Sequence, residues 1–136
     1  GSAPRPLQKV ASGGELSRVF LAVKNALRGA GRGMVLVFDE VDAGIGGGVA
    51  ERVGRCLAEL AREHQVLCIT HHPQIAALAD HHFRVAKRRV GKRTLATVER
   101  VEGAARVEEV ARMAGGEEIS AATRKHAEAL LRGKAD

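Results

Sequence analysis

Two short apolar runs, Met34 to Phe38 and Val66 to Ile69, each stop abruptly at polar residues, and between them lies a stretch long enough for one amphipathic helix. Runs this short suit strands, and a continuous apolar pattern is what a strand buried on both faces carries. Before the first run, Leu16, Val19, Phe20, Val23 and Leu27 recur at helical spacing over residues 15–30, and Gly29, Gly31 and Gly33 end that helix. After it, residues 42–48 are glycine-rich and 49–64 are helical again, leading into a second strand over 65–70. Helix–strand–helix–strand order with apolar strands predicts an α/β fold with a mainly parallel sheet flanked by helices. In such sheets ligands gather beyond the carboxyl ends of the strands, so the places where the two runs stop are where chemistry is expected.

The remainder is read more coarsely. A short helix is expected over 73–79, a peripheral β-hairpin from 82–89 and 93–101 around Gly91, and C-terminal helices over 105–114 and 118–132, divided by Gly115-Gly116. Pro4 and Pro6 make residues 1–11 an extended lead-in, and Gly1-Ser2 reads as a cloning remnant. Cys56 and Cys68 lack metal or redox spacing and read as small apolar core residues. His64, His81 and His82 form no closed ligand set at zinc spacing. No apolar run approaches the roughly 20 residues that span a bilayer.

The first strand stops at Asp39-Glu40, and Asp42 follows. Three carboxylates at the mouth of an apolar strand are costly unless water or a cation offsets them. Two readings stand. One is a solvated acidic turn. The other is a Walker B element, with Asp39 holding Mg²⁺ through water and Glu40 as general base. The second strand stops at Thr70-His71-His72-Pro73, and a parallel neighbour would bring His71 to the same edge. It serves either as an ordinary polar loop or as a switch histidine on the γ-phosphate of a nucleotide.

A third element is Ser12-Gly13-Gly14-Glu15 at a helix start. Ser12 and Glu15 have capping-box spacing, but that does not explain two consecutive glycines. Gly13 and Gly14 would let an anion approach bare backbone N–H groups at the positive end of the helix. The phosphate-gripping G-x-x-x-x-G-K-[ST] loop is absent: Gly91-Lys92 and Gly133-Lys134 have Ala86 and Glu128 where the leading glycine belongs.

The stretches KVASGGELSR (9–18), VFDEVDAGIGG (37–47), VLCITHHPQIAA (66–77), ADHHFRVAK (79–87) and EEVARMAGG (108–116) carry a resemblance. In order and spacing they resemble the C-terminal part of ABC-type ATPase heads, and within that superfamily the RecN family of bacterial DNA-repair proteins, relatives of the SMC proteins. The resemblance implies a head split in sequence by a long coiled coil, with the phosphate loop (Walker A) in the N-terminal half and residues 9–136 forming the C-terminal half. It implies ATP and Mg²⁺ as ligands. Ser12, Gly13 and Gly14 would be the signature acting on a partner head's ATP, Asp39 and Glu40 the Walker B pair, Asp42 part of the D-loop at the head–head interface, and His71 the switch histidine. His72 stands where an apolar residue is expected. Implied partners are DNA, the N-terminal half of the same head, a second head in an ATP-sandwich homodimer, and a recombinase, in a cytoplasmic, nucleoid-associated protein. The isolated half is expected to be inactive. The alternative is a non-hydrolysing structural or DNA-binding head.

The net charge of +6 suits a nucleic-acid partner. With no Trp or Tyr, base stacking is a poor route and phosphate contacts are the expected one. Lys87, Arg88, Arg89, Lys92 and Arg93 cluster on the expected hairpin, either as such contacts or as a solvated face.

Overall fold

The computed structural model describes residues 13–134. The chain divides into two compact units, one running to Ile75 and the other from Ala76.

In the first unit, helix α1 (Gly13–Leu27) leads to strand β1 (Val35–Asp39), helix α2 (Gly47–Leu60) and strand β2 (Gln65–Ile69). β1 and β2 pair in parallel, Val35 opposite Gln65 through Asp39 opposite Ile69. Backbone bonds clamp both ends of the pair: Gln65 N–H donates to Met34 O (2.8 Å) and Glu40 N–H to Ile69 O (3.1 Å). His64, which is buried, accepts the Met34 N–H at Nδ1 (3.3 Å), so this histidine has a structural partner. The apolar stripes of α1 (Leu16, Phe20) and α2 (Ala50, Val53, Leu57, Leu60) close over one sheet face with Ile75. Leu36, Phe38, Val66 and Cys68 pack beneath them, with the Phe20 and Phe38 rings 5.6 Å apart. Burial raises the Cys56 thiol pKa, aided by Glu59, and pushes Cys68 up to about 11, aided by Asp42, so both are unreactive thiols in apolar surroundings.

The expectation of strands buried on both faces does not hold for this chain. Exposure alternates along both strands, and Val35, Val37, Leu67 and Ile69 are each about half exposed or more, Val37 reaching 64%. Both helices lie against the same face, so among the described residues of this unit no helix covers the alternate ones. Four exposed aliphatic side chains, two on each strand and on one face of the pair, make an unusual solvent surface.

A single-turn helix α3 (Pro73–Ala76) stands at the join of the two units. In the second unit, β3 (His82–Val90) and β4 (Arg93–Val101) form an antiparallel hairpin in unbroken register, His82 opposite Val101. Helices α4 (Gly103–Gly115) and α5 (Ala121–Arg132) pack around Val110, Ala111 and Ala127, with Val107, Ile119, Leu130 and Leu131 at the margins. The last helix starts at Ala121, three residues later than expected, because Ser120 caps it by accepting the Thr123 N–H (3.1 Å). Arg106 Nη2 donates to the carbonyls of Ala76 and Ala79 (3.2 and 2.6 Å) and Lys134 to Ala79 O and Asp80, pinning the segment that leads into the hairpin.

Burial lowers the His82 pKa below its ordinary 6.5; Arg106 and Arg112 lower it further, and Glu109 opposes. A buried Glu109 carboxylate takes two bonds from Arg112 (2.9 and 2.6 Å), which hold its pKa below the ordinary 4.5 despite desolvation. Both signs agree. Below pH 6.5 the unfolded chain binds a proton at His82 that the folded chain resists, and below 4.5 the same holds at Glu109. Thermal midpoints of this unit are therefore expected to fall between pH 7 and 5, and again below 4.5. His82→Gln is expected to flatten the first limb and leave the second. Midpoints of the variant and parent that run parallel across pH 7 to 5 would contradict the assignment to His82.

Candidate functional site

Parallel pairing delivers the carboxyl ends of β1 and β2 to one edge. Asp39 is the last residue of β1 and faces solvent. Glu40 follows with φ 51°, and among the described residues it alone is a non-glycine with positive φ. A glutamate in that left-handed region is sterically disfavoured. The turn aims its carboxylate across the edge, where Oε1 lies 3.3 Å from His71 Nε2. His71 is highly exposed, with 86% of its side chain accessible, whereas Glu40 is half exposed. It is therefore His71, and not the half-buried His72, that meets the acidic strand end.

Asp42 is placed differently from its acidic neighbours. It is among the most buried side chains of the chain, at 2% exposure. Its Oδ2 accepts the hydroxyl hydrogen of Thr70, and Thr70 Oγ1 in turn accepts the His72 N–H (3.0 Å). The burial cost of the Asp42 carboxylate is thus met by a hydroxyl from the end of β2. Three further bonds shape the edge: Ala43 N–H to Glu40 O, Ile45 N–H to Asp42 O, and Ile75 N–H to His72 O. Thr70 has no role in the reading from sequence. Its signal is a hydroxyl residue directly before the histidine, where the strand ends.

Gln74 is a second residue that the sequence did not flag. A Cβ at Gly47, the first residue of α2, would stand 2.9 Å from Gln74 Nε2. Gly47 therefore permits the close approach of this amide, and Gln74 Oε1 is buried with no hydrogen-bond partner.

Of the anion-receiving helix start, Ser12 lies outside the described residues. Gly13 opens α1, and Gly14 is exposed in its first turn, with only Arg18 Nη2 near the space that a Cβ would take (3.7 Å). The N–H groups at the start of a 15-residue helix carry the positive end of its dipole, which favours an anion. Among the described residues no three His, Cys, Asp or Glu side chains converge as a metal cage. An exposed strand-end carboxylate such as Asp39 suits Mg²⁺, which keeps most of its waters and takes one or two carboxylates beside substrate phosphates.

Parallel strands thus carry an acid and a histidine to one edge, in a unit whose first helix opens on glycine. No protein-family model matches the chain. Among solved structures, it is similar to a chain from work on the ATP-driven dimerisation and DNA-stimulated activation of SMC ATPases. That likeness has a TM-score of 0.59, covers 87% of this chain and 70% of the other, and at 19% identity speaks for the fold alone.

Sequence takes the identification further. The chain is 51% identical to the DNA repair protein RecN of Xylella fastidiosa (strain Temecula1) over 120 residues, covering 88% of this chain and 22% of that protein. It is 50% identical to RecN of Streptomyces coelicolor over 131 residues and 48% to that of Treponema pallidum over 132, in each case 23% of the relative. The chain belongs to the RecN family, and it spans less than a quarter of the length of these relatives.

Thr70→Val keeps the shape of the side chain but leaves the buried Asp42 carboxylate and the His72 N–H unpartnered. A loss of about 1–3 kcal/mol is expected in urea unfolding of the chain. A change below roughly 0.3 kcal/mol would mean that the Asp42–Thr70 bond does not hold the edge together.

Proposed function

We propose that residues 9–136 are the C-terminal half of an ATP-hydrolysing head, which is completed by an N-terminal half supplying the phosphate loop and which acts on DNA during double-strand-break repair. The observation that carries this reading is the Glu40–His71 pair at the shared edge of β1 and β2. Glu40 accepts a proton from the attacking water, and His71 holds the carboxylate in place and faces the γ-phosphate. With Mg²⁺ bound, the metal would neutralise charge on the phosphates, and Asp39 would hold it through water. Ser12, Gly13 and Gly14 would offer backbone donors to the ATP of an opposing head in a homodimer, in keeping with a sequence that lacks the phosphate-gripping loop motif. Asp42, locked to Thr70, keeps the following loop in register with the histidine. DNA and a recombinase remain the partners implied by this family reading.

The bare sheet face supports the other half of the proposal. Val35, Val37, Leu67 and Ile69 form an apolar row that the N-terminal half would cover, and burying each such side chain contributes about 1.5–3 kcal/mol. The doubly apolar strand pattern then describes the completed head.

Two measurements test this. The chain alone is expected to show no Mg²⁺-dependent ATP turnover, and the co-expressed halves to show it. In the completed head, Glu40→Gln should lower kcat by roughly 10²–10⁴-fold while ATP is still bound. Undiminished turnover in that variant would remove Glu40 as the base, and ATP-driven pairing without any turnover in the parent would favour a structural head. Separately, Val37→Asp, at an exposed position, should leave the thermal midpoint of the isolated chain unchanged. It should weaken capture of the N-terminal half by about 2 kcal/mol, roughly 30-fold. Equal capture by parent and variant would show that the row is not the joint.

A further inference from the structure

The basicity of the chain is almost entirely local. Five cations, Lys87, Arg88, Arg89, Lys92 and Arg93, fall within seven residues at the tip of the β3–β4 hairpin, with no acid among them. Against a net charge of +6, this leaves the rest of the chain at +1. Among the described residues none of these five side chains makes a hydrogen bond or an ion pair. Elsewhere in the same unit the cations are mostly engaged: Arg84 with Glu99, Arg100 with Glu102, Arg106 with carbonyls, Arg112 with Glu109, Arg124 with Glu108 and Lys134 with Asp80. A merely solvated face would be expected to mix both signs, as the base of the hairpin does.

The support is stiff and narrow. The two strands pair without a bulge for nine residues each, and at ~3.4 Å per residue they reach about 30 Å. Gly91 at φ 61° supplies the positive φ that the tight turn requires. Residues directly opposite in an antiparallel pair share a face, and faces alternate along the strand. Arg88 and Arg93 therefore lie on one face of the ribbon, Lys87 and Arg89 on the other, and Lys92 at the turn. A ribbon two strands wide fits the major groove of duplex DNA, where charge on both faces meets phosphates on both walls. The tip has no aromatic residue on which to stack an unpaired base, so the geometry favours duplex over single strand.

We propose that the hairpin tip, Lys87 to Arg93, is the surface by which this chain engages duplex DNA, through backbone phosphates and without regard to base sequence. The inference rests on the DNA partner named under the proposed function, and it adds the surface that meets it. The test is fluorescence anisotropy of the full chain with a labelled duplex of about 30 base pairs across a salt series. Three variants accompany the parent: all five tip cations to Ala; the double variant Arg88→Gln and Arg89→Gln; and a control of equal charge loss, with Arg28, Arg52, Arg62, Lys125 and Arg132 to Ala.

Each phosphate contact contributes about 0.9 to the slope of log K against log salt. The five-fold tip variant is expected to lose about 4 units of slope, the double variant about 2, and the control less than 1. Unchanged thermal midpoints would show that all remain folded. Equal losses in the tip variant and the control would reduce the effect to net charge and overturn the proposal, as would an unaltered slope in the tip variant. Tighter binding of a single strand of the same length, or of polyglutamate, would overturn the choice of duplex. Failure of the parent to bind any DNA would sink the DNA partner itself, an outcome distinct from loss of the hairpin alone.

Discussion

The register of β1 against β2 decides what this chain can do. Asp39 sits opposite Ile69, so the residues just past each strand, Glu40 and His71, come within 3.3 Å. A slip of one residue would move the histidine about 3.3 Å along the strand. It would also exchange the faces of the slipped strand, taking Phe38 or Cys68 out of the core and turning Val37 or Leu67 inward. Such a slip is opposed from both ends. The His64 and Gln65 bonds to Met34 fix the start of the pair, and the Glu40 and Thr70 bonds fix its finish. The packing of Phe20 on Phe38 and the chemistry of the edge therefore depend on the same alignment.

Much of this was legible from residue order alone. The helix–strand–helix–strand pattern, the parallel pairing, the meeting of Glu40 with His71 and the hairpin around Gly91 follow from apolar periodicity and from where it stops. What was not legible depends on contacts between residues distant in sequence. Asp42 reads as one more exposed acid, and only the fold reveals that a hydroxyl 28 positions away makes its burial tolerable. Gln74 over Gly47 is of the same kind. The start of α5 is by contrast a local matter: Ser120, three residues before Thr123, is an ordinary N-cap.

Burial on both sheet faces is the expectation most instructive to see fail, because the apolar pattern behind it is real. Val35, Val37, Leu67 and Ile69 are as apolar as Leu36, Phe38, Val66 and Cys68, although only the second set has helices over it. Residue order records the environment in which a strand works, including any cover that lies outside the chain. The hairpin repeats the point on a smaller scale, since Phe83, Val85 and Val98 share a face and all stand more than half exposed. An apolar row of this kind is a liability for an isolated piece and an asset for one that is to be joined.

Glu40 brings the backbone and the chemistry into direct conflict. Its left-handed conformation costs on the order of 1–2 kcal/mol, and a glycine there would remove that cost. Its carboxylate returns little stability to the fold, since it is half exposed and its neighbour His71 is more exposed still. Local energetics would thus favour glycine. The Asp42–Thr70 bond, by contrast, lies buried just behind and holds the turn that imposes the strain. A strained acidic residue on a rigid mount, aimed at a histidine, makes sense when the carboxylate itself is what the position supplies. In a merely solvated acidic turn a relaxed backbone would serve equally well.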